Sequence, residues 1–207
     1  MKFRMDHPPP EDKNHRLQSV VLFVLLALCG MVWYTQLNKS KFWRMTMQKI
    51  RTATFEDLDA IAAVEAACFP AAEAATKEEF AGRLTHYADH FWLLFEDKKL
   101  VSFVDGFVTD TPDLTDEMYA DASLHDAHGA WQMIFGVNTL PEYRKQGLAG
   151  QLLRRAIADA KAQGRRGLVL TCKDRLVHYY AGFGFVSEGV SGSTHGGVVW
   201  YQMRLTF

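Results

Sequence analysis

The sequence predicts an α/β (α+β) domain with a central mixed, mostly antiparallel sheet flanked by helices. Three observations carry that prediction. Short β-branched and aromatic runs alternate with helix-period segments that open on capping boxes. One such run, Met133 to Thr139, feeds through a short basic loop containing glycine straight into the helical pattern Leu148, Leu152, Leu153 and Ile157. Two further strand-like runs, Phe185 to Glu188 and Val198 to Leu205, close the chain as a β-hairpin.

The elements follow in order from residue 47. Lys49 to Ala53 reads as a first strand. Thr54 caps a helix, with Asp57 at the capping-box position and Leu58, Ile61, Val64 and Ala67 on the apolar face; Pro70 ends it. Thr76 with Glu79 opens a second helix carrying Phe80 and Leu84. Phe91 to Phe95 is a strand, and Glu96-Asp97-Lys98-Lys99 turns it into another, Leu100 to Val108. An irregular acidic segment holds Asp110, Asp113, Asp116, Glu117, Asp121 and Asp126. After the strand and loop comes a helix from Gly147 to about Gln163, stopped by Gly164. Leu168 to Cys172 is a buried strand, and Asp174 caps a short helix through Tyr179-Tyr180. The order is β-α-α-β-β-β-α-β-α-β-β, without internal repeats.

Composition sets the frame. The chain has 207 residues, 48% of them hydrophobic and 23% charged, which suits one globular domain plus an appendage. A formal net charge of −1 gives no case for a nucleic-acid partner. Cys29, Cys68 and Cys172 lack metal-ligand spacing, so no metal is expected; Cys68 and Cys172 read as small buried hydrophobes, and a reducing compartment fits.

Residues 1–16 are polar, with Pro8-Pro9-Pro10, and read as a disordered tip. Residues 17–37 hold an uncharged run of about the length that spans a bilayer, with Trp33 and Tyr34 at its end. Residues 38–46 are a linker, and 47–207 form the domain. The run is read as a single-pass membrane anchor. Alternatively translation starts at Met45 or Met47 and the protein is soluble and cytoplasmic. Basic residues flank both ends of the run, so charge does not set its orientation.

The loop Tyr143-Arg144-Lys145-Gln146-Gly147-Leu148-Ala149-Gly150 carries the chemistry. A strand entering a glycine-containing turn that opens a helix aims several backbone N–H groups and a positive helix end at one point, and a phosphate suits it. It is neither the G-x-x-x-x-G-K-[ST] of a P-loop nor the dinucleotide G-x-G-x-x-G.

With this element order, Arg144-Lys145-Gln146-Gly147-Leu148-Ala149 resembles the [QR]-x-x-G-x-[GA] signature of the GNAT superfamily of acetyl-coenzyme A-dependent N-acetyltransferases, and the resemblance covers residues 47–207. The segment Leu170-Thr171-Cys172-Lys173-Asp174-Arg175-Leu176-Val177-His178-Tyr179-Tyr180-Ala181-Gly182-Phe183-Gly184-Phe185 is similar to the C-terminal part of the arylalkylamine (serotonin-type) branch, as are the Phe69-Pro70 loop and the Phe91 to Val108 hairpin. The resemblance implies the GNAT fold and acetyl-coenzyme A as cosubstrate. Backbone groups of Arg144, Lys145, Gln146, Gly147, Leu148, Ala149 and Gly150 would hold its pyrophosphate. The strand backbone at Val137, Asn138 and Thr139 would pair with its pantetheine arm, one N–H facing the thioester oxygen. Tyr180 would protonate the departing sulfur, and Tyr179 is read as structural.

One departure matters. The arylalkylamine branch keeps two histidines on the strand before the loop, where this chain has Met133 and Phe135, neither able to move a proton. His178 and His195 read as surface histidines. The acidic segment reads as a solvated loop rather than a trap for cations, and Phe69, Trp92 and Trp131 as either core or an aryl pocket. The expected activity is acetyl transfer to a small primary amine by direct attack in a ternary complex. Acetylation of a protein or peptide amine, and a non-catalytic coenzyme A-binding sensor, are the alternatives. Use of acetyl-coenzyme A would put the domain on the cytoplasmic side.

Overall fold

The computed structural model describes residues 47–207. The tip, the membrane anchor and the linker expected within 1–46 lie outside the described residues. Among those described, no helix is long and apolar enough to cross a membrane.

The chain begins with β1 (Gln48–Thr52) and a 3-10 turn leading into α1 (Leu58–Cys68). Thr54 and Asp57 form the expected capping box at this entry, and Arg51 clamps the Asp57 carboxylate with two 2.7 Å bonds. The bidentate pair holds Asp57 below the usual carboxylate range. The Thr76–Glu79 box opens α2 (Lys77–Tyr87). Then come β2 (Phe91–Glu96), β3 (Lys99–Asp105), β4 (Val108–Thr109) and a short α3 (Glu117–Ala120) in the acidic segment. β5 (Trp131–Ile134) and β6 (Gly136–Thr139) precede α4 (Leu148–Ala162), which is followed by β7 (Gly167–Cys172), α5 (Val177–Ala181), β8 (Val186–Val190) and β9 (Tyr201–Thr206).

The single central sheet expected from the sequence is two sheets. One is four-stranded, ordered β1-β2-β3-β6 and antiparallel throughout; the other is five-stranded, ordered β4-β5-β7-β9-β8. In the second, β5 and β7 run parallel and the remaining pairs are antiparallel. Two runs that read as continuous strands are each broken where the chain passes between sheets. The Leu100 to Val108 run breaks at Gly106, where a Cβ would stand 1.8 Å from the Met133 carbonyl oxygen. Only glycine permits that approach. The Met133 to Thr139 run breaks at Phe135, whose N–H donates to the Asp105 carbonyl at 2.8 Å.

This break positions the site. β5 and β7 pair from Trp131↔Gly167 to Ile134↔Leu170. Beyond Ile134, β6 pairs with β3, while Thr171 and Cys172 of β7 pair with β9. The two parallel strands therefore part, and a wedge opens between Val137 and Cys172.

Two apolar clusters hold the sheets. Ile61 of α1 and Phe80 of α2 pack with Phe91 and Phe103 on one side. On the other, α4 buries Leu148, Leu152, Leu153, Ala156 and Ala160 against Leu94, Val104, Leu168 and Met203. Each fully buried leucine there contributes about 2 kcal/mol. Gly164, at φ +74°, ends α4 as the sequence predicts.

Candidate active site

The loop entering α4 has the geometry of an anion cradle. Gly147 caps the helix in the left-handed region at φ +79°, and Lys145 is left-handed too, at φ +62°. Gln151 N–H is the first to bond back, to Gly147 O at 3.1 Å. The six N–H groups from Lys145 to Gly150 have no backbone partner among the described residues. They sit at the positive end of a fifteen-residue helix. Arg144 and Lys145 add exposed charge. Gln146 is exposed and donates to Glu142 O, while Gly150 is buried against the Phe183 ring, 3.2 Å from where a Cβ would stand.

The loop forms one wall of a cleft of about 670 Å³ running down the wedge. Val137 and Thr139 line it, and so do Leu148 and Ala149. Leu140 N–H donates to Val101 O, so alternation along the ladder turns the backbone groups of Asn138 toward β3 and those of Val137 and Thr139 toward the gap. The Asn138 side chain is fully buried on the other side of the strand, next to Glu65. Arg144 Nε donates to Thr139 O at 3.1 Å and ties the loop to the strand. The dimensions and donors suit a long, anionic, partly apolar ligand such as coenzyme A.

Tyr180 lies at the far wall, on α5, lining the cleft and only 6% exposed. Burial raises its hydroxyl well above the usual tyrosine range, so it is protonated throughout neutral pH. Tyr179, read as structural, also lines the cleft, its ring 5.2 Å from that of Tyr180. Cys68 is another departure: it is half-buried, lines the cleft and bonds Thr139 O at 3.3 Å, whereas Cys172 is buried as expected.

Phe69, Glu73 and Trp200 line both this cleft and a smaller inner chamber of about 80 Å³. Little in the sequence marks this chamber. Its charged lining is Glu65 from α1, Glu79 and Arg83 from α2, Asp105 from β3 and Glu73 from the α1–α2 connection. Its aromatic lining includes Tyr119 and Phe135, with rings 4.9 Å apart. Arg83 donates to Asp105 Oδ2 and to Tyr119 O, each at 3.0 Å. Lys173 Nζ meets both Glu73 oxygens at 2.8 Å.

Several expectations are corrected here. His195 is not a surface residue: the β8–β9 connection folds over the chamber, stacking His195 on Tyr119 at 5.3 Å and placing its Nε2 3.1 Å from Glu73 O. Of the three aromatics considered for an acceptor pocket, only Phe69 lines it. Trp92 is core, its Nε1 donating to Asp159, and Trp131 lies under Arg204. The acidic segment is engaged structurally. Asp116 accepts from Ser193 and Thr194, Asp113 from Arg204 and Gln202, and Asp110 from Ala130 N. The carboxylates that line the chamber come from elsewhere in the chain.

Burial raises the carboxyls of both Asp105 and Glu65. Glu65 Oε1 accepts from Ala75 N at 3.1 Å. Burial first, and then the neighbouring Asp105 charge, push its carboxyl up to about 7, against the opposing pull of Ala75 N–H, Arg83 and Asn138. Oε2 has no partner, and neither do Asp105 Oδ1, Arg83 Nε or either polar atom of the Asn138 amide. So many unpaired buried polar atoms around one small chamber suit water or a polar ligand.

Comparison with known proteins agrees with this geometry. Residues 52–185 match the family model described as the acetyltransferase (GNAT) family. The chain is 31% identical over 111 residues to serotonin N-acetyltransferase of Mesocricetus auratus; the match covers 53% of this chain and 52% of that protein, so the chain spans about half the length of that relative. The fold is similar to the loading GNATL domain of CurA from Lyngbya majuscula, at a TM-score of 0.67 and 18% identity, covering 77% of this chain and 98% of that one. It is also similar to the PaiA N-acetyltransferase of Thermoplasma acidophilum in complex with coenzyme A, at a TM-score of 0.58 and 17% identity, covering 78% and 99%. With the family model spanning the wedge, the anion cradle and Tyr180, the chain belongs to the GNAT family of acetyltransferases.

Proposed function

We propose that this domain transfers the acetyl group of acetyl-coenzyme A to the primary amine of a small cationic molecule, by direct attack within a ternary complex. The observation that carries the reading is the wedge between β6 and β7, with an anion cradle and long cleft on one side and a small acidic, aromatic chamber on the other. Acetyl-coenzyme A supplies an activated thioester carbonyl, and the chain's own residues do the rest. The N–H groups of residues 145–150 bind the pyrophosphate, with Arg144 and Lys145 adding charge. Val137 and Thr139 orient the pantetheine arm through backbone groups that face the gap, and an N–H here stabilises charge developing on the carbonyl oxygen. Tyr180, held neutral by burial, donates its hydroxyl proton to the departing sulfur.

The chamber supports a small acceptor over a peptide. At about 80 Å³, with His195 and Trp200 in its lining, it is sized for an aminoalkyl group rather than an extended chain. Its carboxylates favour a cation, and Tyr119, Phe69 and Trp200 suit an aromatic or apolar tail next to that cation.

The test is thiol release by the full chain with acetyl-coenzyme A and a panel of small amines, arylalkylamines included. Tyr180→Phe should lower kcat by about 10²-fold while leaving coenzyme A affinity unchanged. Coenzyme binding without thiol release for any amine would refute the reading, and efficient turnover of peptides alone would move it to a protein acceptor.

A further inference from the structure

The acceptor amine of such a reaction arrives as an ammonium ion, and its nitrogen has no lone pair until a proton leaves. Met133 is fully buried in the core, and Phe135, which lines the chamber, carries no titratable group. The inner chamber holds four carboxylates, and their surroundings separate them. Glu73 has both oxygens on Lys173. Asp105 also has an unpartnered oxygen, Oδ1, but it is 1% exposed and its Oδ2 is held in the buried ion pair with Arg83. Glu79 caps its own helix through Thr76 N. Glu65 has one oxygen fixed by Ala75 N–H and the other, Oε2, without any partner at the chamber wall.

We propose that Glu65 is the general base of the reaction, its free Oε2 taking the proton of the acceptor ammonium directly or through one ordered water. The inference rests on the reading of the domain as a small-amine acetyltransferase and supplies the proton acceptor that reading lacks. The ammonium proton moves to Glu65, the freed nitrogen bonds to the thioester carbonyl carbon, and the carbon–sulfur bond breaks. The sulfur takes the Tyr180 proton, and the nitrogen sheds a second proton to solvent as the amide forms. Tyr180 regains a proton from solvent and Glu65 releases its own there, so each turnover frees one proton net.

The surroundings fit the role. Asp105 from β3 and Glu79 from α2 bring negative charge, Arg83 from α2 opposes it, Asn138 from β6 lies alongside, and Cys68 is one turn further along α1. Burial and the Asp105 charge, against the pull of Ala75 N–H, Arg83 and Asn138, hold the carboxyl at about 7, where a base is both ionised and basic at neutral pH. The one-point anchor to Ala75 fixes the rotamer while leaving the second oxygen free. A glutamine can keep that anchor and cannot accept the proton.

The experiment measures kcat/KM against pH for the full chain with amines of graded basicity, comparing the parent with Glu65→Gln, Glu73→Gln and His195→Asn. In the parent the rising limb should stay near pH 7 whichever amine is used. Glu65→Gln should lose that limb and about 10²-fold in kcat/KM for a strongly basic amine, keep its coenzyme A affinity, and recover to within about tenfold for a weakly basic amine that arrives neutral. A uniform loss across the amines, an unchanged limb, or a larger loss of the limb in Glu73→Gln or His195→Asn overturns the assignment. Should Glu65→Gln fail to fold, the parent decides: a limb that tracks each amine's own pKa overturns it. Absence of turnover in the parent with every amine, despite coenzyme binding, would instead sink the underlying reading and this inference with it.

Discussion

Glu65 carries a cost as well as a proposed task. Its carboxyl titrates near 7 in the folded chain against an ordinary value of 4.5. Between those values the folded protein holds a proton that the unfolded chain has lost, so this group's contribution to stability falls as pH rises through that window. The full shift corresponds to roughly 3 kcal/mol as an upper bound. Glu65→Gln removes the term. Its unfolding free energy in urea, relative to the parent's, should therefore climb by about 1–3 kcal/mol between pH 4.5 and pH 8. A flat or falling difference would mean that Glu65 is not held protonated by its surroundings. Tyr180 shows burial working in the opposite functional sense: the same desolvation that makes Glu65 a usable base keeps Tyr180 a proton donor.

Among the elements, the loop into α4 was the most legible. Its basic residues, its glycine and the helix period behind it are all local, and local sequence determines the turn. Gly147 is left-handed with open space where a Cβ would lie, so Gly147→Ala meets no clash and strains only the backbone, by about 1–2 kcal/mol. Relief of that strain should turn the N–H groups away and raise KM for acetyl-coenzyme A about tenfold, with a smaller effect on kcat; an unchanged KM would show that the cradle does not depend on this conformation. The capping boxes at Thr54 and Thr76 were legible for the same local reason. The break at Phe135 was not, because it depends on Gly106 meeting the Met133 carbonyl from a different strand. The chamber was hidden too, since its side chains come from α1, α2, α3, β3 and the β8–β9 connection. A clue did exist: Glu65 follows Ile61 by one turn, and Arg83 sits between Phe80 and Leu84, so both charges occupy core faces of amphipathic helices. Charges at such positions need a partner or a use.

For the molecule as a whole, the buried Arg83–Asp105 pair joins α2 to β3 and, through Tyr119 O, to α3, around a chamber that could otherwise have been filled with apolar side chains. Such a pair is weak evidence for stability. Its place beside Glu65 fits a structure that keeps polar space open at its centre. The parallel strands β5 and β7 pair within the five-stranded sheet, and after Ile134 the chain leaves β7 to join the four-stranded sheet as β6. That divergence has a consequence for amide hydrogen exchange. Val137 and Thr139 lie on β6, an edge strand of the four-stranded sheet, with N–H groups facing the gap, so in the free protein they should exchange with deuterium quickly. Addition of coenzyme A should slow both, by a factor that grows with ligand concentration over Kd, while Asn138, already bonded to β3, stays slow throughout. The substrate would then act as one more strand, and the isotope pattern would alternate residue by residue along β6 according to which side each amide faces.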